Sequence, residues 1–190
     1  MSSTIVVVSG LPRSGTSMMM KMLEAGGIPP LADGVREADD DNPKGYYEFE
    51  RVKKLPDDTD WLPEAEGKAV KIITQLLMKL PAGHEYRVVF MRRKIDEILA
   101  SQKKMLIRRG TYKEGGPSDD RMRDIMLKHV DQVFMWMDAQ PNLEYLAVNY
   151  NEMLADPAPT VPRIDEFLGG GLDTDAMLTV VDPSLYRQRK

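Results

Sequence analysis

The stretch "TIVVVSGLPRSGTSMMMKMLEAGG", Thr4 to Gly27, decides how the rest of the chain is read. Ile5 to Ser9 is a short, β-branched apolar run of the kind that a parallel sheet buries on both faces. Gly10 to Gly15 is the turn that follows, and Ser14 to Ala25 reads as a helix stopped by Gly26 and Gly27. The spacing is that of a P-loop, G-x-x-x-x-G-[KT]-S, in which backbone N–H groups and a helix N-terminus together grip a phosphate. Gly10 and Gly15 permit the wrap, and Thr16 and Ser17 offer hydroxyls to phosphate oxygens. Two glycines at this spacing are common by chance; a strand before and a helix after make the pattern specific. The plainer alternative is a tight strand-to-helix turn capped by Ser14.

Departures from the nucleotide-hydrolase pattern narrow the chemistry. Such an enzyme needs a lysine in the loop to neutralise the β- and γ-phosphates, and an aspartate after an apolar strand to hold Mg²⁺. Thr16 stands at the lysine position, and a positive charge is found three places earlier, as Arg13. The strand candidate "YRVVFM" runs into Arg92 and Arg93, and none of the strand candidates ends in an aspartate. A donor whose transferred group needs no metal fits this loop better.

Strand and helix patterns alternate through the chain. Strands are expected over Ala69–Thr74, Tyr86–Met91 and Leu143–Val148, besides the first. Helices are expected over Gln75–Leu80, Lys94–Ile107, Asp119–Ala139, Asn151–Ala155 and Val161–Leu168. Alternation of this kind implies βαβ units, hence an α/β fold with a parallel central sheet between two helical layers. At 190 residues, with no internal repeat or linker, the chain reads as one domain spanning 1–190. Residues 28–67 carry little periodicity and read as a long excursion over the mouth of the loop, with a short helix around Phe49–Leu55. In an open parallel sheet a ligand sits at the carboxyl ends of the strands, so Gly10–Ser17 and Met91–Arg93 are expected to face one crevice.

Composition excludes several alternatives. There is no cysteine, so no disulfide framework, no thiolate nucleophile and no cysteine zinc site. His84 and His129 lie far apart, which argues against a histidine metal site. A net charge of −4 argues against general nucleic-acid binding, yet the charge is uneven. Arg87 to Arg109 holds eight basic residues against two acidic ones, while Leu31 to Glu66 holds twelve acidic and five basic. The basic segment is either a solvated helix or a site for a small polyanion. Apolar runs are too short to span a bilayer and the N-terminus lacks a charged n-region and cleavage site, so a cytoplasmic protein is expected.

The loop "GLPRSGTSMMMKML" resembles the 5′-phosphosulfate loop of the sulfotransferases that use 3′-phosphoadenosine 5′-phosphosulfate, with arginine where cytosolic animal members have lysine, as in bacterial and tyrosylprotein branches. The family's second signature is an arginine after a strand with a serine eight residues later; "FMRRKIDEILAS" supplies Arg93 and Ser101, with Lys94-Ile95 in place of the usual Asn-Pro. "LAVNYNEMLADP" and "IDEFLGGGL" are similar to the family's later strand, turn and helix. The resemblance runs from about Ile5 to Leu172 and is thinnest across 28–67.

What the resemblance implies is an in-line transfer of a sulfuryl group to a hydroxyl or amine, without a metal. Pro12, Arg13, Ser14, Gly15, Thr16 and Ser17 would hold the 5′-phosphosulfate, and Arg93, Ser101 and Arg187 the 3′-phosphate. Arg13 would stabilise charge on the leaving oxygen, unless it pairs with a carboxylate of the acidic excursion. Lys71 resembles a lysine placed on the sulfonate in some members. "DNPKGYYEFE" resembles a bacterial segment that puts Glu48 near the sulfonate as the base, with Glu50 as competitor. Trp61, Trp136, Tyr46, Tyr47 and Phe49 are candidates for an acceptor pocket, Trp136 more for packing. The acceptor, a small molecule, glycan or peptide, is not specified, nor is the oligomeric state. A small P-loop kinase using ATP and Mg²⁺, or a non-catalytic nucleotide binder on the same fold, are the rival readings.

Overall fold

The computed structural model describes residues 4–34 and 47–181. Four strands form one parallel sheet: β1 (Ile5–Gly10), β2 (Ala69–Lys71), β3 (Tyr86–Arg92) and β4 (Leu143–Asn149), in the order β2-β1-β3-β4. All pairings are parallel, with Val7 opposite Val70 and Val88, and Gly10 opposite Met91. β1 is buried along its whole length, which explains why its sequence reads Ile-Val-Val-Val without alternation.

Helices cover both faces. On one lie α1 (Thr16–Ala25), α5 (Tyr150–Ala155), α6 (Val161–Leu168) and α7 (Thr174–Val180), whose apolar residues pack with Val6, Val8, Val89 and Met91. Met19, Met20 and Met22 of α1 are fully buried there, as unbranched side chains that fill an irregular interior. On the other face α2 (Thr74–Leu77), α4 (Asp119–Asp138) and two short 3-10 helices, Glu50–Lys54 and Leu62–Ala65, pack on Ile5, Val7, Val88 and Phe90. α3 (Ile95–Arg108) leans on α4 through Ile98 and Met126, which close over Leu11 of the loop. The architecture is the three-layer α/β/α arrangement with a central parallel sheet.

Several expected boundaries shift. β2 ends at Lys71, and Ile73 is already the residue that precedes α2. The expected strand through Thr74 is therefore three residues, and the helix expected from Gln75 starts at Thr74. The described part of the excursion after Tyr47 is less irregular than expected: its 3-10 turns plant Val52, Leu55, Trp61 and Leu62 in the core. Trp61 is 0% exposed and donates its indole N–H to the Asp58 carbonyl, so it is a core residue and not a pocket wall. α7 was not expected; its cap is the Asp173 side chain, which accepts from the Ala176 N–H.

Candidate functional site

The strand order reverses direction between β1 and β3, and both crossings leave their carboxyl ends side by side. The loop from Gly10 to Thr16 and the turn from Arg92 into α3 are therefore neighbours by topology. Gly10 has φ +150°, and a Cβ there would lie 2.4 Å from Ser14 Oγ and 2.7 Å from the Met91 carbonyl. Gly15 has φ +100°, and a Cβ would meet the Tyr150 ring at 2.3 Å. Glycine is required at both places by backbone conformation and by space. Gly15 is also the residue that caps α1, so the Ser14 side chain makes no cap hydrogen bond. The plain capped-turn alternative does not describe this loop.

Arg13 is the unusual residue of the loop. Its φ is +75°, a left-handed conformation that costs a non-glycine residue about 1–3 kcal/mol. Its Nε donates to Ser101 Oγ of α3 at 2.9 Å, and its carbonyl accepts from Arg93 Nη1 at 3.0 Å. Gln102 of the same helix donates to the Pro12 carbonyl at 3.4 Å. The loop and the basic segment thus meet at one residue: Arg93 holds the main chain of Arg13, and Ser101 receives its side chain.

Arg93 is itself anchored. Its Nε donates to Glu97 Oε2 at 2.9 Å, and its guanidinium carbon lies 4.7 Å from the Tyr150 ring centre. Asn151 donates to both oxygens of Glu97, at 2.9 and 3.1 Å. Glu97, Asn151, Tyr150 and Gln102 were not assigned to the site from the sequence, although Tyr150 and Asn151 stand in the segment "LAVNYNEMLADP" that carries part of the resemblance. The i,i+4 spacing of Arg93 and Glu97 was available as a signal, but Glu97 also suits the first turn of a helix, where any acid is favourable.

Lys71 and Glu48 form a second group. Lys71 ends β2 opposite Val8, its side chain 8% exposed, and its Nζ lies 4.0 Å from Glu48 Oε1. Lys53 Nζ lies 3.7 Å from the other Glu48 oxygen. Glu50 pairs with Lys53 and is the more exposed of the two carboxylates. Tyr47 donates its hydroxyl to Glu24 of α1, and Phe49 packs edge-on against Trp61. Trp136 packs against the core of α4's face of the sheet. Tyr46 and Arg187 lie outside the described residues.

The loop carries signs of an anion site. Ser9 Oγ and Ser14 Oγ are buried without a hydrogen-bond partner among the described residues. Two hydroxyls in this state, at the end of β1 and inside a loop where a Cβ has no room, suit an oxyanion better than a packed core.

Solved sulfotransferase structures share this architecture. The sulfotransferase domain of a Synechococcus olefin synthase matches with a TM-score of 0.59 at 14% identity, over 95% of this chain and 78% of that one. The fold is that of the sulfotransferases. Mouse sulfotransferase SULT7A1, solved in complex with PAP, matches at 0.54 and 18% identity over 94% of this chain and 62% of its own. The sulfotransferase STF1 of Mycobacterium tuberculosis matches at 0.53 and 16% identity over 97% of this chain and 74% of its own. No family model and no curated protein sequence matches the chain. The sulfotransferase fold accounts for the strand–loop–helix at Gly10 and for the placement of β3 beside β1. Among the described residues, no helix is long and apolar enough to cross a membrane.

Proposed function

We propose that the chain transfers the sulfuryl group of 3′-phosphoadenosine 5′-phosphosulfate to a hydroxyl or amine acceptor. The observation that carries this reading is the meeting of two anion-holding segments at Arg13: Ser101 on its side chain and Arg93 on its carbonyl. A ligand with two phosphates at opposite ends of one nucleoside suits two such segments on one crevice. The lysine-free loop supports a donor other than ATP, and the PAP seen in the mouse relative is the product of such a donor.

In this reading the backbone N–H groups of Gly15 and Thr16, with the Thr16 and Ser17 hydroxyls, hold the 5′-phosphate at the N-terminus of α1, while the Ser14 N–H closes the turn on the Leu11 carbonyl at 3.1 Å. Arg93 and Ser101 hold the 3′-phosphate, and Arg187 is a further candidate for it. An acceptor oxygen attacks sulfur, its proton passes to Glu48, and the bond from sulfur to the bridging phosphate oxygen breaks. Arg13 meets the negative charge that develops on that oxygen, and Lys71 steadies the sulfonate oxygens. Positioning and charge stabilisation supply the rate, since no covalent bond to the protein is needed.

Calorimetry with adenosine 3′,5′-bisphosphate and with ATP plus Mg²⁺ tests the reading. Micromolar binding of the bisphosphate and weaker binding of ATP are expected; preference for ATP with Mg²⁺ would favour a kinase and overturn it.

A further inference from the structure

Glu97 is 0% exposed, yet the reaction outlined above gives it no role. Buried ion pairs are poor sources of stability, because desolvating two charges offsets most of their attraction, and apolar replacements often stabilise as well or better. Their best-attested use is to fix one arrangement among several. What Glu97 fixes is legible from its contacts. One of its oxygens accepts from Arg93 Nε at 2.9 Å, and both accept from the Asn151 amide. Asn151 in turn accepts from the Lys94 N–H at 3.3 Å, so the brace is tied to the start of α3. Arg93 then reaches across to the Arg13 carbonyl.

We propose that Glu97, steadied by Asn151, is a positioning residue that uses Arg93 as a strut to set the backbone of Arg13, and with it the direction of the Arg13 side chain. Arg13 sits at φ +75°, a conformation its own side chain disfavours and that persists only where the surroundings impose it. The Arg93 hydrogen bond to its carbonyl is one restraint, and Tyr150 against Gly15 is another. A guanidinium free to rotate would not hold a carbonyl in one place. Fixed by Nε on a buried carboxylate and faced by the Tyr150 ring at 4.7 Å, it does. The β4–α5 corner thereby becomes part of the loop's support, although it lies more than a hundred residues away in sequence.

The inference rests on the donor-site reading only for what the loop holds; the strut itself is testable without ligand. The experiment compares wild type with Glu97→Gln by nuclear magnetic resonance of the backbone amides, then by calorimetry with adenosine 5′-phosphate and adenosine 3′,5′-bisphosphate. Gly10 to Ser17 amide signals are expected to move in the variant, and affinity for both nucleotides to fall about tenfold or more, the size of a lost charged hydrogen bond. Unmoved loop signals, or a loss confined to the bisphosphate, would overturn the strut. Should Glu97→Gln not fold, Asn151→Ala keeps the Arg93–Glu97 pair and removes only the brace; it is expected to move the same signals less, and no movement overturns the proposal. Wild type that binds neither nucleotide would overturn the donor-site reading, while the loop signals still judge the strut.

Discussion

Arg13 Nε and Ser101 Oγ are 2.9 Å apart although 88 residues separate them. The contact ties the turn after β1 to the second turn of α3. It makes the side chain of Arg13 and the hydroxyl of Ser101 a single unit, so a change to one is felt by the other. In the proposed reaction, Arg13→Ala removes the cation that meets the leaving oxygen but leaves the loop N–H groups in place. Turnover, followed as bisphosphate release over a panel of acceptor hydroxyls, is expected to fall about 10²–10³-fold, with bisphosphate affinity changed only a few-fold. Full activity in this variant would remove Arg13 from the chemistry.

Gly15 offers a test of the loop's packing. Alanine there is opposed by the positive φ and by the Tyr150 ring 2.3 Å from the new methyl carbon. A loss of about 2 kcal/mol or more in denaturant unfolding is expected. Gly27 is the control: its φ is +104°, but a Cβ there meets nothing within 4 Å. Its alanine variant should lose only about 1 kcal/mol, the conformational part. Equal losses at the two positions would show that Tyr150 does not press on the loop.

Glu48 lies between two lysines, Lys71 at 4.0 Å and Lys53 at 3.7 Å. As the acceptor's base it should matter to turnover and little to the donor product. Glu48→Gln is expected to slow acceptor-dependent turnover about 10²-fold while bisphosphate binding is retained. A matching loss in Glu50→Gln instead would transfer the role to that residue.

Alkaline pH probes the anchoring of the returning excursion. Burial, and then the hydrogen bond to Glu24, raises the Tyr47 phenol above its ordinary 10.0, and burial raises Tyr86 likewise. A phenol raised in the folded state is held protonated there. Its contribution is complete below the unfolded value of 10.0 and fades as pH climbs past it towards the folded value. Unfolding free energy should therefore decline above about pH 10, less steeply in Tyr47→Phe. An unchanged slope would mean that Tyr47 is not held as described.

Much of this arrangement was legible in the residues. β1, the loop and α1 were readable because apolar run, glycine spacing and helical pattern agree over one short stretch. The placement of Arg93 and Ser101 followed from parallel topology, since β3 had to end beside β1. Glu97 and Asn151 were hidden by ambiguity: an acid in a first turn and an asparagine after a strand each have an ordinary local explanation. Trp61 was misread because an irregular segment suggested a surface, whereas two 3-10 turns bury it. The shortened β2 reflects the start of α2 at Thr74, which the apolar residues Val70, Ile72 and Ile73 do not announce.

The most direct test is a crystal structure with adenosine 3′,5′-bisphosphate. The 5′-phosphate is expected within hydrogen-bond reach of the Gly15 and Thr16 amides and the 3′-phosphate within reach of Arg93 or Ser101, in the same molecule of ligand. A nucleotide bound elsewhere, or one whose 3′-phosphate points away from α3, would contradict it.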